Sequence, residues 1–401
     1  MTYNERKILT ITCFGHFVTH FNMLMFPSLV IPLATSFGME LSQVLTLSFW
    51  MYLLFGVTAL PWGLLTDAFG AKPLLLTFYT GAGLSGLAAA FFAGSPMAFP
   101  LCLAGVGLFS GIYHPAGLGF ISRGISRVSM AMGYNGVAGN AGLAAAPILT
   151  GLINHFFGIR AAYLFLGGLN FLGAALMLLL TAREPAKKKE GESHASKTIA
   201  GGFIVLCVCM MLGGIAYRGV TVILPSYFEL RSHALFEGLS RFQWLLPSKN
   251  VAATALTSLA LMAGMLGQYL GGVAAERFEP RRAYLLFHSI ALPMALIMAF
   301  TTDLPLLLVT MGYMLFLLGM QPIENTLVAY LTPDKLRYSG YGIKSILTFG
   351  VGALAVYMVG WIKDAWSLPA VFVAMAGVSL GIIAFILLLI FVTRKVPLRM
   401  Q

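Results

Sequence analysis

A small set of ionisable and amide side chains falls inside long apolar stretches, where a charge costs several kcal/mol unless it meets water or a partner. His16 and His20 are four residues apart and share one helical face, with Asn22 nearby; His114, Arg218, Gln321, Glu324, Asn325 and Lys344 complete the set. A guanidinium offers forked donors that suit a carboxylate or phosphate, so Arg218, helped by Lys344, points to an anionic or zwitterionic solute. His20, His114, Gln321 and Asn325 are candidates to bind that solute as well. Glu324, His16, His20 and His114 are candidates for proton coupling, since imidazole titrates near neutral pH and burial raises a carboxyl toward that range. His16, His20, His114 and Glu324 are also ligand types suited to a divalent cation, a reading that Arg218 and Lys344 oppose electrostatically. Each has a plainer alternative: Arg218 can pair with Glu324 merely to hold two helices together, and each His can serve as a hydrogen bond between helices. His288 is expected to be packed or interfacial.

These residues need elements that hold them at membrane depth. Of 401 residues, 59% are hydrophobic and 10% charged, more apolar surface than a soluble interior can hide. Twelve apolar spans emerge, at approximately 8–35, 42–65, 73–94, 97–121, 128–153, 159–181, 199–225, 251–275, 283–301, 304–331, 339–362 and 368–393. An all-α membrane protein with both termini cytoplasmic follows. Eighteen of the 25 Lys and Arg, among them Lys187, Lys188, Lys189, Lys335, Arg337 and Arg399, fall on segments that share a side with the N-terminus. Only Arg160, Arg231, Arg241, Lys249 and Lys363 fall on the other side. That distribution explains the net charge of +11 without nucleic acid. Cys13, Cys102, Cys207 and Cys209 all lie in apolar spans and suggest neither a disulfide framework nor a zinc site. The first span is too long for a cleaved signal peptide and stays in the protein.

The polar run from Arg183 to Lys197 divides the chain into an N-terminal six-helix bundle (1–182), a cytoplasmic linker (183–198) and a C-terminal six-helix bundle (199–401). An outer loop at about 229–250 carries Leu235, Leu239, Phe242 and Leu246 at amphipathic spacing. The halves align on each other. FPS at Phe26 to Ser28 recurs as LPS at Leu224 to Ser226, which places His20 opposite Arg218. Gly63, Asp67 and Lys72 match Gly272, Glu276 and Arg281. GIYHP at Gly111 parallels GMQP at Gly319, pairing His114 with Gln321, and GYNG at Gly133 parallels GYGI at Gly340.

GLLTDAFGAK, from Gly63 to Lys72, resembles the loop motif G-x-L-x-D-x-x-G-x-K/R of the major facilitator superfamily, and the resemblance covers essentially the whole chain. Ala68 and Ala71 stand where the family often has basic residues, which thins the charge network between helices. Gly133, Gly136, Gly139 and Gly142, followed by Pro147 and Gly151, look like the family's glycine-rich fifth helix, and Gly350 and Gly352 give helix eleven similar slack. HFVTHFN at His16 and SGIYHPAG at Ser110 resemble the fosmidomycin-resistance type of efflux protein. His20 replaces an expected acid there, and Ala116 a frequent Glu.

The resemblance implies two pseudo-symmetric bundles that rock about a cavity lined by helices one, four, seven and ten. Gly63, Asp67, Gly70, Lys72, Gly272, Glu276 and Arg281 would gate that motion, Asp67 by meeting a helix N-terminus or a cation of the other half. It also implies a monomeric secondary transporter of a bacterial inner membrane with no cofactor, while Arg218 and Lys344 make the cargo a small organic, anionic solute and Glu324 and the histidines make the coupling ion a proton. Divalent-metal transport, lipophilic drug/proton antiport and a nontransporting sensor are the alternatives. With no paired nucleophile and base and no HExxH, an enzyme is not expected.

Overall fold

The computed structural model describes residues 1–183, 197–239, 247–332 and 342–395. Among these the chain is helical with no strand, the form required where the solvent is hydrocarbon and each backbone amide must be paired within its own segment. The expectations resting on Lys187, Lys188, Lys189, Arg241, Phe242, Leu246, Lys335, Arg337, Gly340 and Arg399 lie outside the described residues, as do residues 184–196 of the expected linker.

Helix α1 is Tyr3–Ser28 and, after Leu29, continues as Val30–Phe37. Three runs, Leu41–Thr46, Phe49–Val57 and Ala59–Phe69, make up α2. Then come α3, Ala71–Phe91, and α4, which is Phe99–Ser110 plus Tyr113–Gly124. The 53-residue stretch Val128–Leu180 holds both α5 and α6, divided at Gly158 (φ 82°, ψ 172°). Helix α7 is Lys197–Thr221, extended by Leu224–Arg231 and followed by a short helix, His233–Leu239. The rest are α8 (Lys249–Arg277), α9 (Pro280–Phe300), α10 (Asp303–Leu331), α11 (Gly342–Ala365) and α12 (Ala370–Val392).

Among the described residues ten helices, or eleven with one bent pair, are long and apolar enough to cross a membrane; dividing the longest at Gly158 brings the number to the twelve expected. The α2–α3 turn depends on Gly70, whose φ of 92° favours glycine. At the start of α1, Thr2 and Glu5 form a capping box, and Glu5 also accepts the Ser126 amide at 2.6 Å, tying the chain start to the α4–α5 turn. The short helix His233–Leu239 buries Phe236 and rests on α10, Asp303 accepting the Leu235 amide at 2.8 Å.

The internal repeat reappears as contacts. Gly142 of α5 lies so close to α1 that a Cβ would strike the Phe17 carbonyl, and Gly214 of α7 stands in the same relation to Thr348 of α11. Gly107 of α4 presses on the Met51 carbonyl of α2, as Gly267 of α8 does on the Leu315 carbonyl of α10. The α3–α6 and α9–α12 pairs complete both bundles. In hydrocarbon no hydrophobic drive holds helices together, so close backbone approach at small residues does.

The bundles meet along two helix pairs, α2 with α11 and α5 with α8. At mid-depth, Gly56 abuts the Gly350 backbone. Gly151 abuts Thr254, and the Ile148 amide donates to Ser258 Oγ at 3.1 Å. Toward the face opposite the chain ends, Asn250 donates to the Ser28 carbonyl at 3.2 Å and Lys363 approaches Glu40 at 3.5 Å. The halves are therefore joined at that far face.

There a Cβ on Gly360 would stand 3.4 Å from Ser42 Cβ, close to the roughly 3.8 Å that a disulfide needs. In a background lacking Cys13, Cys102, Cys207 and Cys209, the pair Ser42→Cys and Gly360→Cys should cross-link under mild oxidant and arrest transport, with recovery on reduction. Failure to cross-link, read as a gel-mobility shift, would show that this face does not close as described.

Candidate functional site

Three imidazoles gather in the N-terminal bundle. The four-residue spacing puts His16 and His20 on one side of α1, and Gly139 of α5 leaves the room, since a Cβ there would lie 2.7 Å from the His16 ring. His16 Nδ1 is 2.7 Å from the Asn135 carbonyl oxygen, and His16 Nε2 is 3.0 Å from His20 Nε2. A carbonyl only accepts, so Nδ1 carries the hydrogen; neutral His16 then offers its Nε2 lone pair, and His20 Nε2 donates. Asn135 is itself held, donating to the Tyr113 hydroxyl at 2.7 Å, which donates to the Thr12 carbonyl at 2.7 Å. Tyr113 stacks on His16 with ring centroids 5.0 Å apart.

His114 joins them from α4, just past the break at residues 111–112. Its ring lies edge-on to His16 and His20 (5.4 and 5.5 Å) and flat against Phe349 of α11 (5.6 Å). Its Nε2 is buried and has no hydrogen-bond partner. One ring nitrogen from each of the three histidines lies within 4.8 Å of the others.

Arg218 lies within electrostatic reach of His20. It is only 2% exposed, and its guanidinium carbon lies 3.5 Å from the ring centroid of Tyr52, across the boundary between the halves. A cation on a ring face is attracted by the ring's quadrupole, and more strongly when desolvated. Tyr52 is fixed by donating to the Met23 carbonyl at 3.1 Å. Among the described residues Arg218 Nη1 is buried without a hydrogen-bond partner.

Pairing of Arg218 with Glu324, one reading of the sequence, is corrected here, because Glu324 is taken by other groups. Glu324, 2% exposed, receives Lys344 Nζ at 2.7 Å on one oxygen and the Tyr284 hydroxyl at 2.8 Å on the other. Lys344 also donates to Asn325 Oδ1 at 2.5 Å. His288 packs edge-on against Tyr284 at 4.9 Å and is 1% exposed, the packed position expected, with Nε2 unpartnered. Gln321 lies in a different network: Gln268 donates to its Oε1 at 2.9 Å and to Asn140 at 3.1 Å, linking α10, α8 and α5. The clusters of the two halves adjoin, for His114 stacks on Phe349 of α11, the helix that also carries Lys344. Between them α11 departs from α-helix, as a π-helix at Ile346–Gly350 and a 3₁₀ turn at Val351–Leu354.

The residues expected to gate are matched in sequence but not in contacts. Asp67 accepts from Arg123 at 2.5 Å, a cation of its own half. A Cβ on Gly63 would stand 3.5 Å from Pro115 Cβ, whereas one on Gly272 would meet no described atom within 4 Å. Lys72 is half-buried and Glu276 exposed. Arg281 is buried, bound to Glu279 and, at 2.6 and 2.8 Å, to Thr393 at the end of α12. It braces the C-terminal bundle.

Sequence reasoning missed Tyr52, Tyr113, Asn135, Tyr284 and Phe349. Tyr and Phe abound in membrane helices, and only the asparagines Asn135, Asn140 and Asn170, amides at membrane depth, gave a signal. Asn170 and Asn22 exchange hydrogen bonds at 3.0 and 3.2 Å and, with Ser110, lock α1, α4 and α6.

The profile described as Major Facilitator Superfamily matches residues 12–320. The chain is 25% identical over 396 residues (95% of this chain, 92% of the relative) to the uncharacterized MFS-type transporter YfnC of Bacillus subtilis (strain 168). It is 30% identical over 171 residues (42% of this chain, 38% of the relative) to the multidrug efflux pump Tap of Mycolicibacterium fortuitum. The fold superposes on a bacterial homologue of the human lysosomal transporter Spinster, inward-facing and unoccupied, with TM-score 0.76, 13% identity and coverage of 100% and 99% of the two chains. Its inward-facing, occupied form gives 0.74 at 15% identity over 100% and 99%. Paired helix bundles, polar groups confined to their interior and a profile match over most of the length converge: the chain belongs to the major facilitator superfamily and is a multi-pass membrane transporter.

Proposed function

We propose that this transporter moves a small organic anion by alternating access, with Arg218 as its anion anchor and Glu324 as its proton carrier. The observation that carries the reading is the buried Arg218 Nη1 without a partner beside a ring-stacked guanidinium. A buried donor left unsatisfied costs about 1–3 kcal/mol, a cost that a carboxylate or phosphonate oxygen removes. Because Tyr52 belongs to the opposite half, a ligand on Arg218 bears on the contact between the halves, which is how binding biases rocking. We take the halves, 1–182 and 199–401, as the rocking bodies, in a monomer with both termini in the cytoplasm of a bacterial cell.

Glu324 suits coupling because its charge is balanced locally by Lys344 and Tyr284. Protonation of Glu324 releases Lys344, adding a free cation near His114 when an anion enters; loss of that proton re-forms the pair. Likeness to Tap favours lipophilic drug efflux as a second reading, and Phe55, Phe349 and Tyr52 supply aromatic walls. A lipophilic cargo, however, would leave the Arg218 donor unsatisfied.

Proteoliposomes with an imposed pH gradient and a panel of carboxylates, phosphates, sugars and lipophilic drugs test both. Uptake or counterflow of an anion should fall about 100-fold in Arg218→Gln, the equivalent of one charge-assisted hydrogen bond of about 2.7 kcal/mol. Arg218→Lys should rescue little of it, because a point charge lacks the fork. Drug flux insensitive to Arg218→Gln would reverse the order of the readings.

Glu324→Gln should retain counterflow while losing accumulation driven by the pH gradient. Undiminished accumulation in that variant would remove Glu324 from the coupling step.

A further inference from the structure

We propose that His16, His20 and His114 form a three-imidazole site for a borderline divalent cation of the Zn²⁺, Co²⁺, Ni²⁺ or Cu²⁺ class. Several features converge on it. His16 Nε2 and His20 Nε2 face each other at 3.0 Å, close to the roughly 3.3 Å that separates two nitrogens bound at about 2.0–2.1 Å to one tetrahedral ion. His114 Nε2 is buried and unpartnered, and the third ring nitrogen lies within 4.8 Å of the other two. To meet on one ion the third nitrogen closes from at most 4.8 Å to about 3.3 Å, and the His20 ring carries its hydrogen on Nδ1, so that Nε2 becomes a lone pair.

The supporting shell is also that of a ligand site. His16 gives its Nδ1 hydrogen to the Asn135 carbonyl at 2.7 Å, which leaves Nε2 as a lone pair directed at the cluster. Asn135 is anchored through Tyr113 to the α1 backbone, so the orientation of His16 is fixed before any ion arrives. The ligands are all nitrogen, which selects this class of cation over Mg²⁺ or Ca²⁺, and three of them leave a fourth position for water or an anion.

Arg218, within electrostatic reach of His20, opposes a dication there, and that gives the site a distinctive response to mutation. Removing the guanidinium should tighten metal binding, whereas removing an imidazole should weaken it. The proposal does not depend on the anion reading of Arg218: the metal is measured on purified protein with no organic solute present, so either can fail without the other.

Tag-free, chelator-treated full-length protein is titrated with Co²⁺, followed by visible ligand-field absorption, and with Zn²⁺ in competition. One Co²⁺ per chain with tetrahedral absorption is expected. His20→Gln and His114→Gln should each weaken binding at least about 10-fold, and Arg218→Gln should strengthen it. His155→Gln and His233→Gln, both outside the cluster, should change nothing. Size-exclusion profiles confirm that each variant is folded. The site is overturned if wild-type protein takes up no stoichiometric Co²⁺ or Zn²⁺, or if His20→Gln and His114→Gln bind as tightly as wild type. It is overturned equally if affinity follows His155 or His233.

Discussion

In a hydrocarbon solvent every polar group must find its partner inside the protein, and the whole arrangement of this chain follows from that condition. Backbone amides meet it by helix formation; threonines and serines along the spans return their hydroxyls to the preceding turn, as Thr12, Ser28 and Thr310 do. Asparagines meet it in pairs, Asn22 with Asn170. Glu324 meets it with Lys344 and Tyr284. Among the described residues eleven buried side-chain polar atoms lack a hydrogen-bond partner, and of these Arg218 Nη1 and His114 Nε2 belong to side chains packed against a ring of the opposite half.

Helix assembly depends on the same absence of water. Since lipid is as apolar as the side chains, affinity between helices comes from backbone approach at glycine, and the positions of Gly142, Gly107, Gly214 and Gly267 establish equivalent pairs in each half. Gly139 and Gly142 share a helix face but differ in effect: one seats the His16 ring and the other receives the α1 backbone. A single glycine motif thus both packs α5 and orients a functional side chain.

The architecture was legible in the sequence because span length and repeat offsets are one-dimensional signals. Gly158 ends α5 where the hydropathy dips, and His20 and Arg218, matched across the repeat, lie within electrostatic reach of each other. Partner choice was not legible. Glu324 and Arg218 are the obvious opposite charges, yet Lys344, approaching from α11, takes the carboxylate, and Arg218 turns to an aromatic face in the other half. Likewise Asp67 takes Arg123, a cation of its own half, rather than one across the seam. Such choices depend on helix rotation and on tyrosines whose roles no spacing reveals.

At Gly56 and Gly350 the halves touch through bare backbone, in the stretch where α11 leaves the regular α-helix. Phe55 and Phe349 flank this contact with ring centroids 5.2 Å apart, so the backbone approach is the narrowest point of the seam. In the rocking proposed above it serves as the fulcrum. The Arg218–Tyr52 and His114–Phe349 contacts join the same two bodies near this pivot, where angular motion produces the smallest displacement. In that proposed rocking, the ends swing widely while the polar centre stays nearly still, so a cargo held there would change its exposure without changing its place.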